Sequence, residues 1–251
     1  MPTFIHGKGT NVFLNEFDMS AYFNSASVAR SVETSDTTSF GASNKAYIVG
    51  MGDGTLQLDG MWSADATVGS DVVLSSILGN ATTPIVTYAY AAGTIGNRCV
   101  LAKAISTSYD ISSPVGDVVS ASVSFQASTD GTTNFTKSVS SGVMLTTNAS
   151  IAFGSLGNLA SVDNAASSAS GGVGNLHVTA NTITGASTTI KVQHSADNTT
   201  FADLITFTAV TASTTTSQQS AVSGTVNRYI RATATGGTAG AITYNIGFAR
   251  F

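Results

Sequence analysis

Apolar and polar residues alternate with a period of two along this chain, and only three prolines interrupt the runs. Successive side chains of a strand point to opposite faces, so this alternation commits a segment to a half-buried β-strand. Leu56 and Leu58 share a face within Thr55–Asp59. Val119, Ala121, Val123 and Phe125 share one in Val118–Phe125, with serines between most of them. Ile190 and Val192 do so in Thr189–His194. In Ala241–Phe248 the residues Ile242, Tyr244, Ile246 and Phe248 face one way, with Thr243, Asn245 and Gly247 opposite. Clusters of Gly, Ser, Thr, Asn and Asp separate these runs as turns.

One segment breaks the pattern. Val73, Leu74, Ile77 and Leu78 recur at helical spacing within Ser70–Gly79. Ser70 suits an N-cap, Asp71 complements the helix dipole, and Gly79 suits the residue that ends a helix. The expected fold is mainly β, with an α+β first domain: a two-sheet β-sandwich or barrel carrying one short helix. The Ser/Thr-rich stretch Thr136–Ser150 puts a boundary near residue 141, and Asp163–Gly174 reads as a long loop. Beyond it come the strands Leu176–Ala180, Thr188–Ser195, Leu204–Ala209, Arg228–Thr235 and Ile242–Arg250. The expected division is therefore a first domain at 1–141 and a small C-terminal β-sandwich at 142–251.

Composition narrows the function. Charged residues make up 10% of the 251 residues, where a soluble chain usually has about a quarter. Either Ser and Thr cover the sheets, or much of the surface becomes subunit interface, where charge is depleted. Residues 1–140 hold 6 Lys and Arg against 11 Asp and Glu, and residues 141–251 hold 4 against 3. An acidic first half opposes a phosphate grip, which would be basic. It suits ordinary solubility and also a surface that DNA passes without sticking. Cys99 is the only cysteine, so no intrachain disulfide forms, and its place in Arg98–Leu101 marks it as a small buried hydrophobe. No basic and then apolar run opens the chain, and no stretch approaches the ~18 apolar residues of a membrane span. Synthesis in a cytoplasm without membrane insertion is expected.

No catalytic constellation emerges. His6, His177 and His194 lie in no metal-binding spacing, although the last two fall on neighbouring expected strands. Gly7–Thr10 lacks the earlier glycine of a phosphate loop, and no serine sits in a G-x-S-x-G elbow. Arg228 and Arg231 are three apart on a strand and so face opposite sides. The expectation is a protein that is not an enzyme, with no catalytic residues, cofactor or metal.

The order of elements in residues 12–62 is the most telling. A strand Val12–Leu14 enters the turn Asn15–Asp18, followed by Met19–Phe23 and a long Ser/Thr-rich segment ending at Phe40–Gly41. Lys45, Tyr47–Gly50 and the alternating strand Gly54–Gly60 come next, then the helix at 71–78 and Gly116–Phe125. In this order the elements resemble the major tail (tail tube) proteins of long-tailed, siphophage-type bacteriophages, over about residues 8–135. The strands around Ile190–Ser195 and Arg228–Ala232 resemble the extra β domain that some such tail proteins carry. The resemblance implies a structural virion protein that self-assembles into stacked hexameric rings. These would form the phage tail tube, a conduit for DNA delivery, with the C-terminal domain on its exterior. Genomic DNA would pass without specific binding, and the tape measure and tail terminator would be further partners. The resemblance also implies that Ser31–Tyr47 is a loop reaching a neighbouring subunit, with Thr34, Asp36, Phe40, Lys45 and Tyr47 as its contact candidates. Asp53, Asp59 and Asp117 would face the lumen. The alternative is a virion decoration or adhesion protein that binds host cell-surface glycan.

Overall fold

The computed structural model describes residues 6–80, 82–90, 93–128 and 139–251. In the N-terminal half, strands β1 (Asn11–Leu14) and β2 (Phe17–Asp18) form a tight hairpin, with Asn15 at φ 50° in its turn. Asn tolerates that conformation better than most residues. β1 pairs with β5 (Ile85–Ala89), and β5 with the first part of β6 (Arg98–Ser112). A second sheet runs β3 (Phe23–Asp36), β4 (Tyr47–Met61), β7 (Ser120–Ala127) and the last part of β6. Strand β6 thus serves both sheets and forms the corner between them. Leu56, Leu58, Val123 and Phe125 face Val12, Leu14, Val86 and Val100 across the core, on the faces that the alternation assigns to them. Helix α1 (Ser70–Ile77) adds Val73, Leu74 and Ile77 to that core. Its N-cap is Gly69, not Ser70. The buried Ser70 hydroxyl instead accepts from the Ser63 N–H at 2.8 Å and donates to the Met61 carbonyl at 3.0 Å. Gly79, at φ 65°, ends the helix as expected.

The C-terminal half is the expected sandwich, with open sheets. One layer holds β9 (Ser150–Ala152), β11 (Gly172–Asn181), β14 (Thr216–Val222) and β16 (Ala241–Arg250). The other holds β10 (Val162–Asp163), β12 (Thr188–Ser195), β13 (Ala202–Thr206) and β15 (Tyr229–Gly236). Leu176, Val178, Ile242 and Tyr244 meet Ile190, Val192, Ile230 and Ala232 between the layers. Strand β14, absent from the sequence reading, is half-buried along its whole length. The expected loop Asp163–Gly174 is shorter, because Asp163 belongs to β10 and β11 starts at Gly172.

The two halves are joined through β8 (Val139–Met144), which pairs with β6 on one side and β16 on the other. The boundary expected near residue 141 lies inside this strand, and the hydrogen-bonded sheet runs through it. Beyond β8 the sheet turns back, so that β11, β14 and β16 cover the outer face of β1, β5 and β6. At the crossing, a Cβ on Gly142 would overlap the Phe248 carbonyl oxygen, so no larger residue fits there. Alternation on β1, β5 and β6 resolves both contacts. Val12, Leu14, Val100 and Ala102 point into the N-terminal core, while Phe13, Ala89, Cys99 and Leu101 point at Val173 and Ala249. Asn245 and Gly247, which alternation alone would leave on an exposed face, are buried in this seam.

A polar network completes the seam. His177, fully buried on β11, contacts the Asn15 carbonyl through Nδ1 at 2.6 Å and Thr87 Oγ1 through Nε2 at 2.7 Å. A carbonyl can only accept, so Nδ1 carries the proton and Nε2 accepts from the Thr87 hydroxyl. Asn175 Nδ2 donates to the same hydroxyl oxygen at 3.2 Å, and Gln219 Nε2 donates to Asn175 Oδ1 at 2.9 Å. Burial pushes the His177 pKa down to about 4, because the charged ring would lie in a medium that cannot solvate it.

Candidate assembly surfaces

Strand β4 is longer than its neighbour β7. Residues 55–61 of β4 have β7 on one side and β3 on the other, whereas residues 47–54 pair with β3 alone. Ser31–Asp36 and Tyr47–Asp53 therefore project from the sheet as a two-stranded arm. This corrects the expectation of a loop over Ser31–Tyr47: only residues 37–46 lie outside the strands. Thr34 lies opposite Val49 and Asp36 opposite Tyr47, while Phe40 and Lys45 sit in the tip. All five are exposed. The tip is closed by local bonds. Thr38 N–H donates to Asp36 Oδ1 at 2.8 Å, and the Ala46 N–H donates to Thr38 Oγ1 at 3.0 Å. The Thr38 hydrogen bonds hold the Asp36 carboxyl below the usual carboxylate range. Among its polar residues and glycines the arm carries four large apolar side chains besides Tyr47. Val32, Ile48, Val49 and Met51 are exposed, Val49 to 78% and Met51 to 75%. An isolated hairpin is marginal in water, and large apolar side chains left exposed on both of its faces mark it as a candidate interaction site.

The outward face of the β3-β4-β7-β6 sheet is the second surface. Register places Ser25, Ser27 and Ala29 beside Asp59, Gln57 and Thr55, and these beside Ser122, Ser124 and Gln126. On β6, Asp110 and Ser108 continue the rows. Asp53 and Asp59 share this face. Asp117 instead lies in the turn before β7, where its Oδ1 accepts from the Val118 N–H at 2.7 Å. Asp110 completes the acidic set and escaped the sequence reading. Asp59 and Asp110 flank Ser122 from opposite strands, about 10 Å apart at the usual strand spacing. The side chains that reach the carboxylates are neutral. Gln57 Nε2 donates to Asp59 Oδ1 at 3.0 Å, and Gln126 Nε2 donates to Asp53. The face-directed positions of these rows hold no Lys or Arg.

Both lateral edges of this sheet are open. Among the described residues β3 has β4 as its only strand partner, and residues 107–112 of β6 have a strand neighbour only on the β7 side. Unpaired N–H and C=O groups of this kind template pairing with another chain.

No family model matches the chain, and no curated protein matches it. Among solved structures it is similar to a chain of the virion of a native gene transfer agent particle, at 16% identity and a TM-score of 0.39, over 49% of this chain and 94% of that one. It is similar to the tube-terminating cap of the anti-feeding prophage at 11% identity and a TM-score of 0.44, over 57% and 93%. It is also similar to SPP1 Dit, described as a hub adsorption apparatus in phages that infect Gram-positive bacteria. There the identity is 13% and the TM-score 0.35, over 96% and 99% of the two chains.

The remaining polar candidates are accounted for by local structure. His177 and His194 do not meet: β11 and β12 belong to different layers, and His177 faces the seam. Among the described residues no group of three or more His, Cys, Asp and Glu side chains is placed to hold a metal. No helix among them is long and apolar enough to cross a membrane. On the C-terminal sandwich, Arg228 pairs with Asp163 at 2.7 Å and lies over the Tyr229 ring. Arg231 covers one face of Phe201 at 3.7 Å. The Tyr229 and Phe201 rings are thus each covered on one side by a guanidinium.

Proposed function

We propose that this chain is a structural subunit of a phage tail, and that copies of it close into hexameric rings that stack into the tail tube. The observation that carries the reading is the outward face of the β3-β4-β7-β6 sheet: acidic, free of Lys and Arg, and bounded by two open strand edges. Joining one edge to the other in successive copies is a heterologous contact, the kind that closes into rings. Closure removes the exposed edges and turns the flat face into the wall of a lumen.

The chemistry of that wall suits a conduit. Duplex DNA carries one negative charge per about 1.7 Å, and proteins hold it by replacing its counterions with Lys and Arg. A wall bearing Asp53, Asp59 and Asp110 offers nothing to replace them with, so DNA slides. The topology is consistent with an exterior C-terminal half, which packs on the face of β1, β5 and β6 turned away from the acidic sheet. The arm, with Phe40 at its tip, is the contact that links a subunit to its neighbours. The tape measure would thread the lumen, and the tail terminator would cap the stack.

Negative-stain electron microscopy over a concentration series tests the proposal. Hollow rings or tubes that grow with concentration are expected; monodisperse particles of one chain at every concentration would refute it.

A further inference from the structure

The groove beside the β3 edge is shaped to receive a particular strand. A cavity of about 550 Å³ opens there, with Val12, Phe23, Ala26 and Tyr88 in its apolar lining and the exposed Lys8 beside them. At the opposite edge of the sheet, Ile111 points to the same side as Ala121, the core side, yet lies beyond the core and is 52% exposed. Its neighbour Asp110 points to the outer face and stays on the acidic wall.

Topology fixes how the two edges can meet. β3, β4, β7 and β6 are each antiparallel to the next, so β3 and β6, at the two ends of the row, run in opposite directions. Rotation about a ring axis leaves strand directions unchanged. The β6 edge of one copy therefore meets the β3 edge of the next antiparallel, and the ladder continues without a break. Side-chain parity agrees as well. Ala26 lies opposite Leu58 on the core side, the side on which Ile111 lies, so strand addition puts both on one face.

We infer that this cavity is the socket for a second copy: Ile111 of the next copy, on the core side of the joined sheet, fills its apolar floor. The inference rests on the ring reading above and adds the contact that sets the register. Without such a contact, two serine-rich edges would slip, because polar strands specify register weakly.

Paired cysteines and one substitution at Ile111 test it. Cys99 is buried and forms a silent background. In the full chain carrying Ala26→Cys and Ile111→Cys, mild oxidation of assembled material should give covalent oligomers up to the closed ring, whereas either single variant should give none. Ile111→Asp alone should raise the concentration needed for half-assembly by roughly tenfold or more, since a charge would then enter an apolar floor. Rings that form yet neither cross-link nor respond to this substitution would overturn the socket and leave the ring reading standing. Absence of rings from the unmodified protein at every concentration would overturn both.

Discussion

Acid should loosen this protein through one side chain. His177 is fully buried in the seam, neutral, with both ring nitrogens engaged. Its pKa falls from 6.5 to about 4 on folding. A shift of about 2.5 units at ~1.4 kcal/mol per unit makes about 3 kcal/mol of stability depend on pH. The sign follows from the direction. Between pH 6.5 and 4 the unfolded chain binds a proton that the folded chain refuses, so stability is full above pH 6.5 and falls until about pH 4. Protonating Nε2 would also turn an acceptor into a donor aimed at Thr87 Oγ1, which already accepts from Asn175. The exposed carboxylates Asp163 and Asp197, lowered from 3.8 to about 2, act mainly below pH 4 and are common to both proteins. His194, also lowered by burial, adds to the same window and is common to both proteins compared here. Urea unfolding in steps from pH 7.5 to 4 should show the parent losing about 3 kcal/mol more than His177→Asn. Asn keeps a donor for the Asn15 carbonyl and cannot titrate. Parallel curves for the two proteins would refute the argument.

Three further outcomes follow from the same structure. Val49→Asp with Met51→Asp changes side chains that touch solvent in the single chain, so unfolding stability should move by less than about 1 kcal/mol. Ring formation should be lost, and assembly that persists would show that the arm is not a contact. Gly142→Ala forces a methyl group into the Phe248 carbonyl where β8 crosses β16, and should destabilise by about 1–3 kcal/mol or more in a thermal melt. An unchanged melt would contradict the packing of the seam. Burial pushes the Cys99 thiol up to about 12, so a thiol reagent at pH 8 should leave the native chain unmodified and label it once it is unfolded. Rapid native labelling would contradict the burial.

Alternation told most where a strand has one wet face. Leu56 and Leu58 on β4, and Ala121, Val123 and Phe125 on β7, lie where period two puts them. It told least where both faces are covered. Asn245 and Gly247 carry the polar half of a regular pattern, yet β16 stands between two cores, and no local signal announces the second. His177 is the same case, a polar residue whose partners at Asn15 and Thr87 are remote in sequence. Strand β14 reads TSQQSAV, with no apolar alternation, because its residues are half-buried on both sides. Ser70 has the chemistry of an N-cap, but its hydroxyl is turned inward to tie the chain at Ser63 and Met61. The arm reads as a loop because its strands carry polar residues and glycines among their apolar ones, and both its faces are wet. Asp110 was legible in principle: Tyr109 and Ile111 flank it with the parity of inward residues, which leaves the carboxylate outward.

Cryo-electron microscopy of the assembled protein tests the central claim most directly, because it shows which sheet lines the hole. The account predicts a lumen walled by β3, β4, β7 and β6, with Asp53, Asp59 and Asp110 pointing at the axis and the C-terminal sandwich outside. A lumen lined by the C-terminal half, or an acidic face turned to the exterior, would contradict it.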